Sequence, residues 1–203
     1  MTLHIRHGAL AATTLAVLFS SVASVAQIAT PRSPAGPFYP LESMRFADQD
    51  LDLVQIQGRA QVAQGDVVFL TGIVYDRQGN PAPGARVEIW QTDANARYLH
   101  TGDQADRPRD PNFQGFGASV ADASGRYVFR TIKPQAYPGR TPHIHLKAFH
   151  QGQELTSQFF IADDSGNAND GLWRAMNNTQ REAVTMRFVP GAQGEQASVD
   201  IRF

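Results

Sequence analysis

Two histidines with one residue between them are the part of the sequence best suited to chemistry. Side chains alternate along a strand, so the imidazoles of His143 and His145 would leave the same face. Tyr137 lies six residues before His143, and Pro138-Gly139 and Thr141-Pro142 intervene. These prolines and the glycine favour a reversal of the chain over a straight path. The segment therefore predicts a tight loop leading into a strand, which could bring one phenol and two imidazoles around a single point.

The amino-acid composition limits how such a point could hold a metal. The 203-residue chain contains no cysteine, which excludes thiolate zinc sites, iron–sulfur clusters and disulfide scaffolds. Metal ligands must then come from His, Tyr, Asp or Glu, and the candidates are Tyr98, Tyr137, His143 and His145. A His-x-His pair also occurs without a metal, and most tyrosines pack their ring while the hydroxyl faces water. From the residues alone, a metal site and ordinary packing of these side chains both stay open.

Short alternating segments separated by turn residues indicate the elements that must position these side chains. With 17 Gly and 12 Pro, the chain has the turn-rich composition of an all-β protein. We predict a β-sandwich of antiparallel strands with long active-site loops and little helix. The predicted strands are 67–76, 86–92, 126–130, 144–149, 155–162, 184–189 and 197–203, with a long loop from 93 to about 119 and a short helix over 171–178.

The beginning of the chain has the features of an export signal. Arg6 supplies a positive charge ahead of a mostly apolar segment at 8–19. Ser24-Val25-Ala26 is a small-x-small cleavage site, which makes Gln27 the expected mature start. An uncleaved membrane anchor is the alternative, although the apolar run is shorter than the ~20 residues of a spanning helix. We therefore expect a periplasmic or secreted protein. The expected organisation is a signal peptide at 1–26, an N-terminal arm at 27–66 and one sandwich domain at 67–203.

The charge balance bears on the kind of partner. The chain has 18 Lys and Arg against 19 Asp and Glu, a formal net charge of −1. This balance gives no electrostatic basis for binding nucleic acid or an anionic membrane surface. We expect a small-molecule partner and no membrane association once the signal is cleaved.

Further motifs accompany the histidine pair along the chain. They are Gly36-Pro37-Phe38-Tyr39-Pro40, Gly84-Ala85-Arg86-Val87-Glu88-Ile89-Trp90-Gln91, Arg97-Tyr98-Leu99-His100, Asp110-Pro111-Asn112-Phe113-Gln114-Gly115-Phe116-Gly117, Phe129-Arg130-Thr131-Ile132-Lys133-Pro134, and Tyr137-Pro138 through His143-Ile144-His145. In this order, over roughly residues 34–162, they resemble the intradiol ring-cleavage dioxygenases, and most of all protocatechuate 3,4-dioxygenase chains. Several motifs in one order are more specific than any one of them alone.

The resemblance implies a mononuclear, non-haem Fe(III). Its protein ligands would be Tyr98, Tyr137, His143 and His145. Fe(III) is a hard cation and phenolate a hard anionic oxygen donor, so metal binding would deprotonate both phenols. Two phenolates and a hydroxide would balance the three positive charges of the buried ion. Two neutral imidazoles would complete the coordination sphere.

The resemblance also implies a reaction. A catechol would bind through both oxygens, and O2 would cleave its ring between the two hydroxylated carbons to give a cis,cis-muconate. Tyr137 would accept a proton from the catechol. Arg140 matches an arginine beside the ring in this family, where its charge would stabilise developing negative charge. Gln158 matches a polar residue near the metal. The ordinary alternatives are a solvated loop arginine and a glutamine on a strand surface.

The sequence departs from the family pattern at three places. Ala96 stands where a glycine often precedes Arg97-Tyr98, and Ala118 stands where an arginine often follows Gly-Phe-Gly. The loop between Tyr137 and His143 is shorter than in protocatechuate enzymes. Because that loop would line the pocket, catechol, protocatechuate and hydroxyquinol all stay open as substrates. Homo-oligomers and hetero-oligomers both stay open as assemblies.

Two rival functions use the same residues. One is a secreted β-sandwich binding module that keeps the metal site without ring-cleavage activity. The other is a hydrolase or metal-storage protein that binds zinc or copper through the two histidines. Colour separates them from the dioxygenase, since tyrosinate-to-iron charge transfer would make the protein burgundy-red and a zinc or empty module would be colourless.

Overall fold

The computed structural model describes residues 28–203, which form two five-stranded β-sheets around a shared apolar core. The predicted signal peptide at 1–26 lies outside the described residues. The strands are β1 (Val67–Tyr75), β2 (Arg86–Trp90), β3 (Phe116–Val120), β4 (Arg126–Ile132), β5 (His143–His150), β6 (Gln153–Ile161), β7 (Thr185–Met186), β8 (Val189–Gly191), β9 (Gly194–Ser198) and β10 (Ile201–Arg202). The prediction of an all-β sandwich with little helix is confirmed.

Strand β1 organises the first sheet. It pairs antiparallel with β4, and parallel with both β9 and β10, while β8 pairs antiparallel with β9. The antiparallel prediction therefore holds for most pairings, whereas β1–β9, β1–β10 and β6–β7 are parallel. Alternation of polar and apolar residues reports which face of a strand is buried and carries no information about strand direction.

Strand β5 is the centre of the second sheet, whose order is β3-β2-β5-β6-β7. Its register places His145 opposite Trp90 on β2 and opposite Gln158 on β6. Residues directly opposite each other on paired strands project from the same face, so these three side chains form a row. His143, opposite Phe160, lies two residues away along β5 and projects from that face as well.

The two faces of β5 have different environments. Ile144, Leu146 and Ala148 are buried in the main core of the sandwich. His143 and His145 alternate with them and therefore project from the opposite, outer face of the second sheet. Burial of the histidines must then come from loops and from the N-terminal arm.

The N-terminal arm also contributes to the main core. Leu53 and Val54 have no exposed surface and belong to the same apolar cluster as the strands. The Leu53 backbone N–H donates to the Arg130 carbonyl on β4 at 2.8 Å. Asp52 pairs with the Arg130 guanidinium at 2.8 Å, so the arm is attached to the first sheet by both backbone and side chain.

Two short helices replace the single helix predicted over 171–178. They are α1 (Gly171–Ala175) and α2 (Asn178–Glu182). The Asn177 side chain accepts a hydrogen bond from the Gln180 backbone N–H, and the Gln180 side chain accepts one from the Asn177 backbone N–H. This capping box starts a new helix at the point where the predicted one should end. In the described part of the chain, no helix has the length and apolar character needed to cross a membrane.

The β5–β6 hairpin sets the register of the histidine strand through a two-residue turn. His150 pairs with Gln153, and the turn residues Gln151 and Gly152 both have positive φ, at 47° and 75°. Positive φ at both positions is typical of a type I′ turn, which prefers Asn-Gly because asparagine tolerates the left-handed region better than most residues. Gln151 is therefore a strained choice on the exposed tip.

We expect Gln151→Asn to raise the free energy of unfolding by about 0.5–1 kcal/mol, since it relieves that strain without touching the core. Urea denaturation followed by circular dichroism measures the change. Gln151→Val is the matched control and should destabilise, because a β-branched side chain resists positive φ. Equal stability of the two variants would show that the turn does not limit the hairpin.

Candidate metal centre

Three side-chain atoms from two distant parts of the chain meet on the outer face of the second sheet. Tyr98 Oη lies 3.2 Å from His143 Nε2 and 3.1 Å from His145 Nε2, and the two imidazole nitrogens are 3.1 Å apart. Each of these residues is only 2% exposed. The three atoms form a nearly equilateral triangle enclosed by protein, which we call the Tyr98 triangle.

Each imidazole is fixed in a different way. His143 Nδ1 donates to the Thr141 carbonyl oxygen at 2.6 Å, which leaves the lone pair of Nε2 directed into the triangle. A ring nitrogen bonded in this way to a carbonyl is typical of metal-ligating histidines. His145 is stacked on Trp90, with ring centroids 4.8 Å apart and an interplanar angle of 10°. Its Nδ1 is buried and has no hydrogen-bond partner among residues 28–203.

A network of aspartates places Tyr98. Asp93 accepts hydrogen bonds from the backbone N–H groups of Asn95 and Arg97 at 2.8 and 2.9 Å. Asp103 accepts one from the Tyr98 backbone N–H at 2.7 Å. The Arg97 guanidinium donates to the backbone carbonyls of Asp103, Ala105 and Arg107. Hydrogen bonds between residues of the loop after β2 thus fix its conformation, and the phenol of Tyr98 is directed towards the histidines.

Ala96 occupies a position in this loop that favours glycine. Its φ is 58°, in the left-handed region, and its N–H donates to the Asp93 carbonyl at 3.0 Å. The Asp93 N–H in turn donates to the Arg97 carbonyl at 2.9 Å. Ala96 therefore adopts a left-handed turn that glycine would adopt freely, and its side chain adds a conformational cost.

Tyr137 and Arg140 are brought together by a four-residue turn. The Arg140 N–H donates to the Tyr137 carbonyl at 2.9 Å, and Gly139 has a φ of 81°. Proline at the second position and a positive-φ glycine at the third are the signature of a type II turn. The turn places the Tyr137 hydroxyl 3.5 Å from Arg140 Nη1.

The Arg140 guanidinium is held by two further side chains. Its Nε donates to Asp170 at 2.7 Å, and its Nη2 donates to Gln158 Oε1 at 2.5 Å. Gln158 Nε2 donates to the Pro34 carbonyl at 3.1 Å, which orients the amide with its oxygen towards Arg140. Arg140 and Gln158 therefore act as one hydrogen-bonded unit beside the triangle. The alternatives of a solvated arginine and a surface glutamine do not describe these positions, since Gln158 is only 2% exposed and the Arg140 side chain is 19% exposed and paired with the buried Asp170.

The N-terminal arm covers the centre. Phe38 stacks on Tyr98 with ring centroids 4.9 Å apart, and Tyr39 meets Trp90 edge-on at 4.8 Å. Gly36 adopts a φ of 72° so close to the centre that an added Cβ would lie 3.3 Å from His145 Cε1. The arm thus supplies part of a second, smaller apolar cluster around Trp90 and Tyr98, and this cluster excludes water from the triangle.

Burial sets the protonation states of the centre. It lowers the pKa of His143 from 6.5 to about 4, with Arg140 as a second cause. Burial also holds the pKa of His145 well below its usual value, aided by His143 and Arg140. The pKa of Tyr98 is raised well above 10 by burial, and the nearby phenol of Tyr137 adds to the rise. Without a metal, the centre therefore consists of neutral imidazoles and a protonated phenol.

The residues present fit a bound transition metal. Nitrogen and oxygen ligands lie about 2.1 Å from such an ion, so two ligands at roughly a right angle are about 3 Å apart, which is the scale of the Tyr98 triangle. Neutral imidazoles can donate their lone pairs, and a buried phenol would lose its proton to the ion. Residues 28–203 contain no cluster of three or more His, Cys, Asp or Glu suited to a metal, so the tyrosines are needed to complete the ligand set.

The structure brings together three of the four predicted ligands. The rings of Tyr98 and Tyr137 have centroids 5.6 Å apart, and Tyr137 lies equally far from His143. Within the described residues no hydrogen bond joins the Tyr137 hydroxyl to the two histidines; its hydroxyl lies beside Arg140 instead. Tyr137 is thus adjacent to the triangle, and its place as a fourth ligand stays a prediction.

Two features of the centre were missed from the sequence. Thr141 orients His143 through its backbone carbonyl, a role that no side-chain pattern reports. Asp170 binds Arg140 and also caps α1 by accepting from the Leu172 and Trp173 backbone N–H groups. An aspartate directly before a predicted helix is a recognisable N-cap signal, so Asp170 could have been placed at the helix start, although its contact with Arg140 could not.

The chain is similar to known proteins that are named as dioxygenases. A family model described as dioxygenase matches residues 35–203. The chain is 36% identical over 166 residues to the protocatechuate 3,4-dioxygenase beta chain of Burkholderia cepacia, covering 77% of this chain and 70% of that one. It is 28% identical over 200 residues to the catechol 1,2-dioxygenase of Acinetobacter baylyi, covering 82% of this chain and 60% of that protein.

Solved structures show the same fold. The dioxygenase domain of a dioxygenase carbohydrate-binding protein fusion from Streptomyces sp. SirexAA-E superimposes with a TM-score of 0.67 at 26% identity, covering 87% of this chain and 98% of that one. The intradiol ring-cleavage dioxygenase from Tetranychus urticae gives a TM-score of 0.66 at 22% identity, covering 86% and 94%. At 22% identity, the similarity to the Tetranychus urticae enzyme shows a shared fold only.

The depressed pKa of His143 makes the stability of the metal-free protein depend on pH. The unfolded chain binds a proton near pH 6.5, whereas the folded protein resists protonation of His143 until about pH 4. The unfolded state therefore binds more protons in that window, and stability is lost as the pH falls through it. We expect His143 alone to lower the free energy of unfolding by about 3 kcal/mol between pH 7.5 and 4.

Chemical denaturation of the metal-free protein at several pH values measures this loss. The matched control is His143→Asn, which removes one titrating group and should make the dependence less steep, with the buried His145 still contributing. A slope unchanged in the variant would show that His143 is not buried as a neutral imidazole.

Proposed function

The chain belongs to the intradiol ring-cleavage dioxygenases, a family of oxidoreductases, and from that premise we propose a specific site and reaction for it. The proposed reaction opens a catechol-type ring between its two hydroxylated carbons with O2 and gives a cis,cis-muconate. The proposed cofactor is a mononuclear, non-haem Fe(III). Its protein ligands would be Tyr98, Tyr137, His143 and His145. The Tyr98 triangle, with the Tyr137 phenol beside it, is the observation that carries the proposal.

The chemistry of these side chains suits a ferric ion. Phenolate oxygens are hard anionic donors, and two of them would offset most of the ion's charge in a site that excludes water. The histidines contribute no charge, because burial keeps both imidazoles neutral. When bound, the iron would draw charge from a bound catecholate and make its ring reactive towards O2. A thiolate or carboxylate cage would not be required.

The two tyrosines are proposed to have different roles. Tyr98 is buried and its backbone is fixed by Asp103, which suits a permanent ligand. Tyr137 is half-buried and is the first residue of the turn whose central residues are Pro138 and Gly139. We assign Tyr137 the role of accepting a proton from the incoming catechol at its phenolate oxygen.

Arg140 and Gln158 are proposed to act on the substrate side of the centre. The Arg140 guanidinium reaches the Tyr137 hydroxyl at 3.5 Å, so it is placed to stabilise negative charge on either the phenolate or the bound catecholate. Gln158 accepts from Arg140 at 2.5 Å and holds the guanidinium in that position. Both roles need water to be kept away from the centre, and the cover of Tyr98 and His145 by Phe38 and Gly36 supports this.

The proposed substrate is defined by the two adjacent hydroxyl groups. Relatives of this chain are named for protocatechuate, catechol and hydroxyquinol, and a catechol unit is common to all three. Relatives also include both a beta and an alpha chain of protocatechuate 3,4-dioxygenase. We propose that this chain likewise works in an oligomer, either with itself or with a second chain, and sedimentation of the purified protein distinguishes these from a monomer.

We further propose export to the periplasm or the exterior, with cleavage after Ala26. The support is the charged, apolar and small-residue pattern of residues 1–26. We expect N-terminal sequencing of protein from a periplasmic or culture-medium fraction to begin at Gln27. A chain that starts at Met1 and stays with the membrane fraction would contradict cleavage.

We expect the iron-loaded protein to be burgundy-red through tyrosinate-to-iron charge transfer. Tyr137→Phe should shift the visible band and Tyr98→Phe should weaken iron binding, since each removes one phenolate. Visible absorption together with metal analysis makes the test, and Tyr127→Phe is the matched control, because Tyr127 is a buried tyrosine bonded to the Val199 carbonyl away from the centre. An unchanged spectrum in Tyr137→Phe would exclude Tyr137 as a ligand.

An oxygen electrode with a panel of catechols tests the reaction itself. We expect one O2 consumed per catechol and a muconate product. A red protein that consumes no O2 with any catechol would favour the binding module. A protein that lacks the red colour and binds zinc or copper would favour the hydrolase or metal-storage protein.

A further inference from the structure

Asp170 is a fully buried carboxylate whose two oxygens have separate partners. Its Oδ1 accepts from the Leu172 and Trp173 backbone N–H groups at 2.9 and 3.1 Å, at the start of α1. Its Oδ2 accepts from Arg140 Nε at 2.7 Å and from the Thr141 backbone N–H at 3.2 Å. One side chain therefore links α1 to the turn that carries Tyr137 and Arg140.

Helix capping alone does not account for a carboxylate at this position. Serine, asparagine and aspartate cap helices about equally well, and a buried charge is costly unless it is paired. The side chain of Asp170 has no exposed surface, and its partner Arg140 is 19% exposed. Although burial raises the pKa of Asp170, its bonds with Arg140 and with backbone N–H groups more than offset this, and the net shift is downward. The second oxygen and the charge thus have a purpose beyond the cap.

That purpose is visible in how Arg140 is held. An arginine on a loop has many rotamers, and fixing it costs conformational entropy. Asp170 accepts a hydrogen bond from Nε and Gln158 accepts one from Nη2, which leaves Nη1 directed at the Tyr137 hydroxyl. Asp170 also binds the Thr141 backbone, whose carbonyl orients His143. The carboxylate therefore fixes both the guanidinium and the backbone next to the first histidine.

We propose that Asp170 is a positioning residue for ring cleavage: it holds the Arg140 guanidinium at the Tyr137 hydroxyl and ties that position to helix α1. The inference rests on the proposed function only in taking Arg140 as the group that faces the substrate. The arrangement of Asp170 and Arg140 can be tested in the metal-free protein, independently of any reaction.

The first test is the Nε–H signal of Arg140 in 1H–15N spectra of the metal-free protein, identified by its loss in Arg140→Lys. We expect a sharp signal protected from solvent exchange in the natural protein. Asp170→Asn places an amide where a carboxylate oxygen accepted, and Asp170→Ser keeps a cap that is too short to reach Arg140. In both variants the signal should broaden through exchange with solvent.

The second test is steady-state kinetics of the iron-loaded variants. We expect kcat to fall by about 10²-fold in Asp170→Ser, because a small misplacement of a positioning group costs that much, with KM for the catechol little changed. Asn177→Ala is the matched control, since it removes the cap of α2 without touching Arg140. It should lower the melting temperature and leave both kcat and the Arg140 signal unchanged.

Two outcomes would overturn the proposal. One is an Arg140 signal that stays protected in both Asp170 variants. The other is an equal fall of kcat in Asn177→Ala, which would reduce Asp170 to a general contributor to stability. If the natural protein loads iron but cleaves no catechol, the proposed function fails instead, and the spectra of the metal-free protein still decide whether Asp170 positions Arg140.

Discussion

The hydrogen-bond register of β5 between β2 and β6 is the constraint on which the centre depends. It directs Ile144 and Leu146 into the sandwich and His143 and His145 out of it. A slip of one residue would exchange the two faces and bury the imidazoles among aliphatic side chains. The apolar residues of β5 are buried in the core, and this burial fixes which face of the strand is outermost. The histidines alternate with these residues and are therefore placed on the outer face.

Placing the histidines on the outer face creates the need for a cover. A second apolar cluster meets that need, built on Trp90, Tyr98 and Phe116 with Phe38 and Tyr39 from the arm. The cover removes water, the loss of water depresses the imidazole pKa values, and neutral imidazoles are the form that binds a metal. One packing arrangement therefore buries the histidines, keeps their imidazoles neutral and leaves them able to bind a metal.

The sequence allowed the fold class and the histidine pair to be predicted because both depend on local periodicity. Tyr98 was a candidate ligand by residue type alone, but its assignment to one metal with the histidines came from the family resemblance, since their proximity depends on Asp93 and Asp103 folding the loop back on itself. Likewise, the contact of Asp170 with Arg140 joins residues 30 apart, and no local pattern reports it. The parallel pairings escaped prediction for a similar reason, because alternation within a strand is the same whichever way its neighbour runs.

The attachment of the arm has a consequence for the order of folding. Thr30 and Arg202 exchange hydrogen bonds across almost the whole described chain, with the Thr30 N–H donating to the Arg202 carbonyl and the Arg202 N–H to Thr30 Oγ1. Contacts between such distant residues form slowly, because a long loop must close first. Pro34, which orients Gln158, lies just beyond this link. We therefore expect the N-terminal arm that covers the histidines to dock late in folding. A partly folded molecule without this cover would expose its imidazoles to any available metal ion.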